Sequence, residues 1–463
     1  MHYRKIIVPL DSSYREYDKF EAAFSDSEVW KHFVFVCDID IDINPNGPTV
    51  VKIDTSKYSL NDFSEVFNRV SPTGKNFTDF CSIDLMQNRG KYSDSAFYLN
   101  FLRLKFLALI DILEEYQDSI IVYNSALHFF PRATAHIGRY LGMEVYSYVQ
   151  SIVPAKEFIW IDDAETFRCD NLTEKFQFYL KEPNSLQARF QGVKESVISG
   201  KLEKTYLSGH KHTFISRLKR LISIRNRFFH PSYYNLNRLL GFLDKFIFRQ
   251  IRSILWKRAA SLDYEGDFVF FPLHMPNEST TIVRSYPFHD DLEVLYKLSR
   301  EMPEGVTIIA KEHPGYEGWI SLADLKKLKS MPNVHLVESD ISSHELIKKC
   351  SSVITLNSSL WFESIFFDKP CITFGRGFFT DFDIVHEVDS IESCKQTYGK
   401  LSKVGFHISE TQGKNRKAFV AAYDDVSVQG RMYEYDKNAQ NAVTNMLKEK
   451  VEEVLAFNEN INF

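Results

Sequence analysis

Short apolar runs alternate with amphipathic stretches along the first half of the chain. Apolar runs that predict strands lie at 6–10, 33–37, 119–123 and 145–149. Helical periodicity is present at 96–116 and at 132–141, where Gly142 predicts the end of the second helix. A strand, a loop, a helix and a further strand in this order are typical of a βαβ unit.

A second α/β unit is predicted to begin at Phe268. Strands are expected at 268–273, 306–311, 334–337, 352–356 and 370–374, with helices at 290–301, 343–349 and 357–367. Their short, regular alternation predicts a doubly wound parallel sheet. The segment 187–256 is helical and basic, and 436–457 predicts a final helix.

The length of 463 residues predicts two or three domains. We predict an α/β protein with an N-terminal Rossmann-like domain at 1–186 and a basic helical segment at 187–262. A C-terminal Rossmann-like domain is expected at 263–425, followed by a helix at 426–463 that packs back. The two Rossmann-like domains are expected to face a cleft.

Positive charge is concentrated between Lys211 and Arg258, where 12 Lys or Arg accompany the single acid Asp244. This stretch carries +11 on a chain whose formal net charge is -5. It fits solvated helices, an anionic membrane surface or lipid-linked acceptor, or nucleic acid. No recognised nucleic-acid-binding motif accompanies the charge, so nucleic acid is not expected as a partner.

The six Cys show neither CxxC spacing nor a Cys/His cluster, which predicts free thiols in a reducing cytoplasm. The apolar run at the N-terminus is too short for a signal peptide, and no apolar stretch approaches the ~18 residues of a membrane span. We therefore expect a cytoplasmic protein that at most lies on the inner face of the membrane. Asp162 and Asp163 lack a third ligand, so no metal is expected.

Charged side chains directly follow the strand predicted at 306–311. Lys311 ends this strand, and His313 stands before Pro314, which constrains its backbone. The carboxyl edge of an open α/β sheet is where ligands bind. His313 could donate a hydrogen bond to a phosphate or protonate a leaving group, and Lys311 could supply charge. The alternative is a histidine that only caps the strand end.

Small hydroxyl residues follow the strand predicted at 352–356. Ser358 and Ser359 open a predicted helix, whose N-terminal N–H groups and dipole favour a phosphate. Glu363 lies one turn later and could accept hydrogen bonds from ribose hydroxyls. The alternative is that these residues only cap the helix. Glycine-rich phosphate loops of the GxGxxG or Walker A type are absent.

Further polar groups follow other predicted strands. After Pro272-Leu273, His274 and Glu278 are candidates for chemistry at the sugar carbon, against the alternative of a polar loop. In the first half, Asn124, His128 and Gln150 are candidates for binding an acceptor, although loop residues of this kind are usually only solvated.

The run from Phe268 to Phe379 resembles the bacterial capsule polysaccharide biosynthesis family, the β-Kdo transferases of capsule export systems and their relatives. The shared signs are Pro272-Leu273, Lys-Glu-His-Pro at 311–314, Thr-Leu-Asn-Ser-Ser at 355–359 with Glu363, and the run from Lys369. The first half is similar less sharply. Where the family often has Gln and Asp after Pro-Leu, this chain has His274 and Glu278.

The resemblance implies a GT-B fold with the donor bound mainly by the C-terminal domain. It implies a CMP-activated donor, typically CMP-Kdo, a lipid acceptor, and no cofactor or metal. His313 would contact the CMP phosphate and assist its departure, with Ser358 and Ser359 on the phosphate and Glu363 on the ribose. Glu278 would be the carboxylate near the anomeric carbon. Similar His-Pro and Ser-Ser pairs occur in GT-B sialyltransferases, which also use CMP donors.

Three functions are compatible with these residues. The first is transfer of Kdo or a related acidic sugar from a CMP donor in capsule or lipopolysaccharide assembly. The second is transfer of a polyol phosphate, or of a sugar from another nucleotide, to a teichoic-acid-like polymer. The third is a glycan-assembly subunit that keeps the fold without the chemistry.

Overall fold

A computed structural model describes most of the chain. It covers residues 4–10, 17, 20–21, 24–37, 47–61, 63–71, 76–87, 95–124, 128–153, 156–161, 167–199, 248–260, 267–275, 278–314, 317–429 and 451. The chain divides into two compact units. Unit 1 comprises 1–85, 94–175 and 423–463, and unit 2 comprises 86–93 and 176–422.

Unit 1 contains a seven-stranded sheet of order β13-β6-β5-β4-β1-β2-β3. Its strands are β1 (Ile6–Leu10), β2 (Phe33–Cys37), β3 (Thr49–Lys52), β4 (Ile120–Asn124), β5 (Glu144–Gln150), β6 (Lys156–Ile161) and β13 (Ser427–Gln429). The pairs from β3 through β5 are parallel, whereas β6 and β13 are antiparallel to their neighbours. The strand order places the reversal of the chain between β1 and β4.

The described residues of the first part of the chain form seven helices, of which the helix Phe129–Tyr140 packs on β1, β4 and β5. They are a 3-10 helix (Glu28–His32), α1 (Phe63–Val70), α2 (Phe77–Phe80), α3 (Ser82–Gln87), α4 (Ser95–Glu115), α5 (Phe129–Tyr140) and α6 (Asp170–Lys181). Many of the aromatic residues form clusters of ring contacts here, one around Phe20, Phe33 and Phe35 and another around Phe77 and Phe106. In unit 1 these aromatics build hydrophobic core.

Unit 2 contains a six-stranded, fully parallel sheet of order β12-β11-β10-β7-β8-β9. Its strands are β7 (Phe268–Pro272), β8 (Thr307–Lys311), β9 (Val334–Val337), β10 (Ser352–Thr355), β11 (Cys371–Thr373) and β12 (His386–Glu387). All five residues of β7 are buried, as expected for a strand covered on both faces. From β7 the chain builds outward to β9 and then returns to place β10 on the other side of β7.

The helices of unit 2 connect these strands and flank the sheet. They are α7 (Pro183–Ile198), α8 (Arg249–Ala259), α9 (Ser279–Ile282), α10 (Asp291–Glu301), α11 (Leu322–Lys329), α12 (Ser343–Lys349), α13 (Leu360–Phe366), α14 (Ile391–Lys403) and α15 (Glu410–Val426). Side chains of β7, β8, α10, α11 and α14 share one hydrophobic core, which also holds Trp256 of α8. The unit is a doubly wound α/β domain.

The predicted fold class of two Rossmann-like α/β domains is confirmed, because each unit contains a largely parallel sheet. The GT-B arrangement stays a prediction. The chain returns to unit 1 at Tyr423, within α15. In unit 1, β13 then pairs with β6, and Val451 lies in the hydrophobic core. Most of the basic helical segment, 201–247, and most of the predicted final helix lie outside the described residues.

The six Cys are buried free thiols. Among the described helices, none combines the length and apolar character needed to cross a bilayer.

Candidate nucleotide-phosphate site

The carboxyl ends of β7 and β10 mark the point of unit 2 where the strand order reverses. These two strands are neighbours in the sheet, although β8 and β9 come between them in the chain. The loops that leave them run in opposite directions across the sheet, which opens a crevice at this edge. The predicted residues His274, Glu278, Ser358 and Ser359 follow these two strands.

His274 links the two sides of this crevice. Its side chain is only 4% exposed, and its Nδ1 atom lies 3.1 Å from Oδ1 of Asp291 at the start of α10. Its Nε2 atom accepts a hydrogen bond of 3.2 Å from the backbone N–H of Asn357 after β10. In the neutral ring, Nε2 accepts this bond, so the proton is on Nδ1 and is donated to Asp291.

Burial and the neighbouring charges act on the pKa of His274 in opposite directions. Burial disfavours the charged ring, but the charge and hydrogen bond of Asp291, together with smaller contributions from Glu278 and Asn357, raise the pKa of His274 above its ordinary value. The carboxylate of Glu278 acts in the same direction, which places it within electrostatic range of the ring. The structure therefore groups His274, Asp291 and Glu278 at the carboxyl end of β7.

Asn357 connects a third loop to this group. Its Nδ2 atom donates to the backbone carbonyl of Arg376, which follows β11, at 2.6 Å. The backbone N–H of Arg376 in turn donates to the carbonyl of Arg284. Through Asn357 the loops after β7, β10 and β11 are held together at one edge of the sheet. The backbone of Arg284 and Arg376, two cationic residues, therefore lies at the crevice.

Close backbone packing at Gly375 supports the same arrangement. A Cβ atom at this position would lie 2.6 Å from the carbonyl oxygen of Leu356 and 2.6 Å from Oγ of Ser285. The Leu356 carbonyl is fixed by the hydroxyl of Thr373, which donates to it at 2.8 Å. Only glycine fits between these groups without displacing the backbone.

The residues after β8 occupy the other flank of β7. Lys311 is buried and its Nζ atom donates to Oγ of Ser343 at 2.9 Å. Glu312 is 3% exposed, and burial raises its pKa to about 7 although the N–H groups of Gly318, Trp319 and Ile320 favour its charged form. Its Oε1 atom is buried without a hydrogen-bond partner.

His313 is half-buried and lies two residues beyond the end of β8. Since β8 and β10 stand on either side of β7, their ends are about 10 Å apart, two strand spacings. His313 and Ser358 therefore begin on opposite flanks of the β7 loop. To bind one phosphate together, the side chains of His313 and Ser358 would have to extend across the loop that carries His274. Their binding of a shared phosphate stays a prediction.

The start of α13 differs in detail from the sequence-based expectation. The N–H of Leu360 donates to Oγ of Ser358, and those of Trp361 and Phe362 donate to the carbonyls of Ser358 and Ser359. These first-turn N–H groups, expected to be open for a phosphate, are engaged within the turn. Ser359 is exposed at the N-cap, where its side chain makes no capping hydrogen bond.

Glu363 has a protein partner that the sequence did not indicate. Its Oε2 atom lies 2.9 Å from Nε2 of His344 on α12, and both side chains are largely buried, at 16% and 10% exposure. Glu363 therefore ties α13 to α12. Its predicted role toward ribose stays a prediction.

The residues predicted on the acceptor side belong to unit 1. Asn124 and Gln150 are the last residues of the neighbouring strands β4 and β5. His128 is the N-cap of α5, and its Nδ1 atom lies 3.7 Å from Oδ1 of Asp84. The other carboxylate oxygen of Asp84, Oδ2, accepts a hydrogen bond from the N–H of Phe129. His128 thus shares its partner with the helix start, and an acceptor role for the three residues stays a prediction.

Sequence reasoning missed Asp291, Arg284 and the linking role of Asn357. Asp291 stands at a helix start, where an acidic residue is expected for its interaction with the helix dipole. Its contact with His274 crosses 17 residues of sequence, and no local pattern reports it.

Comparison with known proteins agrees with the resemblance. Residues 181–397 match the family model described as capsule polysaccharide biosynthesis protein. This match includes every predicted site residue of unit 2, so the resemblance predicted from the sequence is confirmed over these residues.

One curated relative and several solved structures are similar to the chain. Protein FixF of Sinorhizobium fredii (strain NBRC 101917 / NGR234) is 26% identical over 135 residues, 28% of this chain and 31% of that protein. The match thus spans about a third of the relative's length. KpsC of Thermosulfurimonas dismutans, a beta Kdo 2,7 transferase, is 14% identical with a TM-score of 0.34, over 79% of this chain and 87% of that chain. Anabaena HepE in complex with UDP is 10% identical with a TM-score of 0.32, over 98% and 99%.

Proposed function

We propose, from the match of residues 181–397 to the capsule polysaccharide biosynthesis family model, that the protein is a glycosyltransferase of cell-surface glycan assembly. Its nucleotide-sugar donor would bind unit 2 at the carboxyl ends of β7, β8 and β10. The observation that carries this proposal is the hydrogen bond from the N–H of Asn357 to His274, which joins the loops on both sides of the chain reversal.

The donor we propose is a CMP-linked acidic sugar, Kdo or a relative. In this proposal His313 donates to the phosphate and assists its departure, and the exposed hydroxyl of Ser359 adds a second donor. His274, fixed between Asp291 and Asn357, holds the loops in position before the donor arrives. Donors placed in advance stabilise the leaving phosphate without reorganisation during the reaction.

Glu278 is the carboxylate we propose near the anomeric carbon. Its influence on the pKa of His274 supports this placement, since it lies close enough for a Coulomb interaction with the ring. The transfer breaks the bond between the anomeric carbon and the phosphate oxygen, which leaves with CMP. It forms a bond from the anomeric carbon to the oxygen of an acceptor hydroxyl, whose proton is released. The acceptor would be a lipid-linked or oligosaccharide chain of capsule or lipopolysaccharide.

A donor panel tests this function. The purified protein is incubated with a lipid-linked oligosaccharide extract and CMP-Kdo, CMP-sialic acid, or UDP-, GDP- or CDP-linked donors, and nucleotide release is measured. We expect release of CMP from one CMP-sugar, with loss of at least about a hundredfold in His313→Ala. His289→Ala is the matched control, because His289 is exposed and bonds only locally to the carbonyl of Pro287.

Each other result of the panel contradicts a defined part of the proposal. Turnover confined to UDP or GDP donors contradicts the CMP assignment, and turnover of a CDP-polyol supports a polyol-phosphate transferase instead. Full activity of His313→Ala contradicts the role of the histidine. No turnover of any donor, together with no binding of CMP by calorimetry, contradicts the glycosyltransferase itself.

A further inference from the structure

Exposed large hydrophobic side chains are concentrated on one part of unit 2. Of the eleven such residues among those described, five lie on or beside α8 or between residues 319 and 322. They are Phe248, Ile251, Ile254, Trp319 and Leu322, with exposures from 41% to 54%. Scattered exposed apolar residues are normal, whereas a group of this kind indicates an interaction surface.

Helix α8 presents its exposed apolar residues, Ile251 and Ile254, on one face. Trp256 on its inner face is 2% exposed, packs in the core of unit 2 and donates its indole N–H to the carbonyl of Val337 in β9 at 2.9 Å. Ile251 and Leu255 are one turn apart and share a face, with Ile254 and Arg258 one turn apart beside them. The helix is thus fixed by its inner face and presents an aliphatic and cationic outer face.

A groove between α8 and α11 extends this face. It has a volume of about 500 Å³ and a floor of Leu255, Ala259, Leu322 and Leu325. Arg258, Lys326 and Lys329 form its rim, and the described residues that line it include no acidic side chain. We name this groove with the exposed residues Phe248, Ile251, Ile254 and Trp319 the α8–α11 face.

The charge of this face is opposite to that of the whole chain. Residues 248–260 and 317–330 carry seven basic and two acidic side chains, on a chain of net charge -5. Both acids are engaged locally, since Asp324 accepts from the hydroxyl of Ser321 and Glu317 from that of Ser339. Aliphatic and aromatic residues surrounded by Lys and Arg are the composition that binds the headgroup region of anionic membranes.

We propose that the α8–α11 face docks unit 2 onto an anionic lipid bilayer. Ile251, Ile254 and Leu322 enter the boundary between headgroups and acyl chains, while Arg258, Lys326 and Lys329 contact lipid phosphates. The face lies beside β9, and β8 and β7 stand between β9 and β10 in the sheet. Docking is therefore independent of the donor site, and its test does not require the proposed function.

The attachment of α8 makes the face a rigid platform. The Nε atoms of Arg249 and Arg252 donate to the carbonyls of Glu317 and Gly318, both at 2.6 Å. A Cβ atom on Gly318, which has a φ of +68°, would lie 2.0 Å from the carbonyl oxygen of Arg249. Gly318→Ala therefore displaces α8 from the loop that precedes α11, without changing any exposed side chain.

Sedimentation of the full chain with vesicles tests this proposal. Vesicles contain phosphatidylcholine alone, or phosphatidylcholine and phosphatidylglycerol in equal amounts. We expect sedimentation only with the anionic vesicles, at least about tenfold weaker in Lys326→Glu/Lys329→Glu, because each basic residue near such a surface adds to binding. Lys400→Glu/Lys403→Glu on α14 makes the same charge change at exposed positions elsewhere and should bind as the wild type.

The apolar contribution has its own matched pair of variants. Ile251→Ser/Ile254→Ser is expected to lose binding about tenfold or more, and Val404→Ser, at a similarly exposed position, is expected to keep it. Circular dichroism of each variant establishes that it is folded. His274→Ala and His313→Ala should bind vesicles unchanged, which separates failure of docking from failure of the proposed transferase.

Several results would overturn the docking proposal. These are no sedimentation of the wild type, equal binding to neutral vesicles, and unchanged binding of both face variants. A fourth is self-association that the face variants abolish while vesicle binding is absent, which would assign the face to a second copy of the chain.

Discussion

Asn357 donates its backbone N–H to Nε2 of His274 at 3.2 Å, across 83 residues of sequence. This bond closes the crevice edge of unit 2 between β7 and β10, and Asp291 holds the opposite nitrogen of the same ring. The side chain of Asn357 continues the network to the loop after β11. The proposed donor site depends on these contacts because they fix three loops at once.

His274→Ala should weaken both folding and CMP binding. The substitution leaves the Asp291 carboxylate and the Asn357 N–H without the ring, at a cost of about 3 kcal/mol in the free energy of unfolding. We expect CMP affinity to fall at least about tenfold, measured by calorimetry, because the loop after β10 is no longer held. Asp291→Asn should show a smaller loss, and His289→Ala none. Unchanged CMP affinity of folded His274→Ala would contradict the positioning role.

Glu312→Gln should change how stability depends on pH. Burial raises the pKa of Glu312 from its ordinary 4.5 to about 7, so the folded protein favours the protonated form. Its contribution is present below the unfolded pKa and is lost as pH rises through the folded value, up to about 3 kcal/mol. We therefore expect the melting temperature of the wild type to fall relative to Glu312→Gln as the pH rises from 5 to 8, with most of the change below about pH 7, the pKa of the folded state.

The control for this pH dependence is Glu304→Gln, at an exposed position in the turn before β8. Its melting temperature should follow the wild type at every pH, because the Glu304 side chain stays exposed to solvent in the folded protein. Parallel curves for Glu312→Gln and the wild type would show that the buried carboxyl does not titrate in this range.

Gly375→Ala should disrupt the loop after β11. The added methyl would meet the Leu356 carbonyl and the Ser285 hydroxyl, both at 2.6 Å, and the Leu356 carbonyl is held by Thr373. We expect a loss of stability of about 1–3 kcal/mol and weaker CMP binding. Gly399→Ala on α14 has nothing within 4 Å of the new methyl and should be neutral or stabilise by up to about 1 kcal/mol. Equal behaviour of the two variants in thermal melts would be inconsistent with the close packing at Gly375.

Glu363 and His344 should be energetically coupled. Their atoms lie 2.9 Å apart with little exposure, so a double-mutant cycle of Glu363→Gln and His344→Ala in urea should give a coupling of about 1–3 kcal/mol. CMP affinity separates two roles of the carboxylate. If Glu363 also binds ribose, Glu363→Gln weakens CMP binding and His344→Ala does so much less. Equal CMP affinity in both variants would leave Glu363 with the structural role alone.

The sequence by itself determined the fold class and the edge of the sheet where the candidate residues lie. Strands such as 33–37 and 268–272 are unbroken apolar runs. Such a run predicts a buried parallel strand from the local sequence alone. Lys311 ends such a run, and His274 and Ser358 lie just beyond the ends of two others, so their place at the carboxyl ends was readable from local order. Short elements such as β3 and β13 were not predicted, because three or four residues carry too little periodicity.

Only the tertiary structure decided what these side chains contact. Asp291 contacts His274, Ser343 contacts Lys311, and His344 contacts Glu363. These contacts depend on the order of the strands in the sheet and on which face each helix turns toward its neighbours. Likewise, α8 is fixed through Trp256 while Ile251 and Ile254 remain outside, although all three are apolar. Hydrophobic periodicity records whether a position prefers burial, but partners distant in sequence are chosen by packing, which no local pattern encodes.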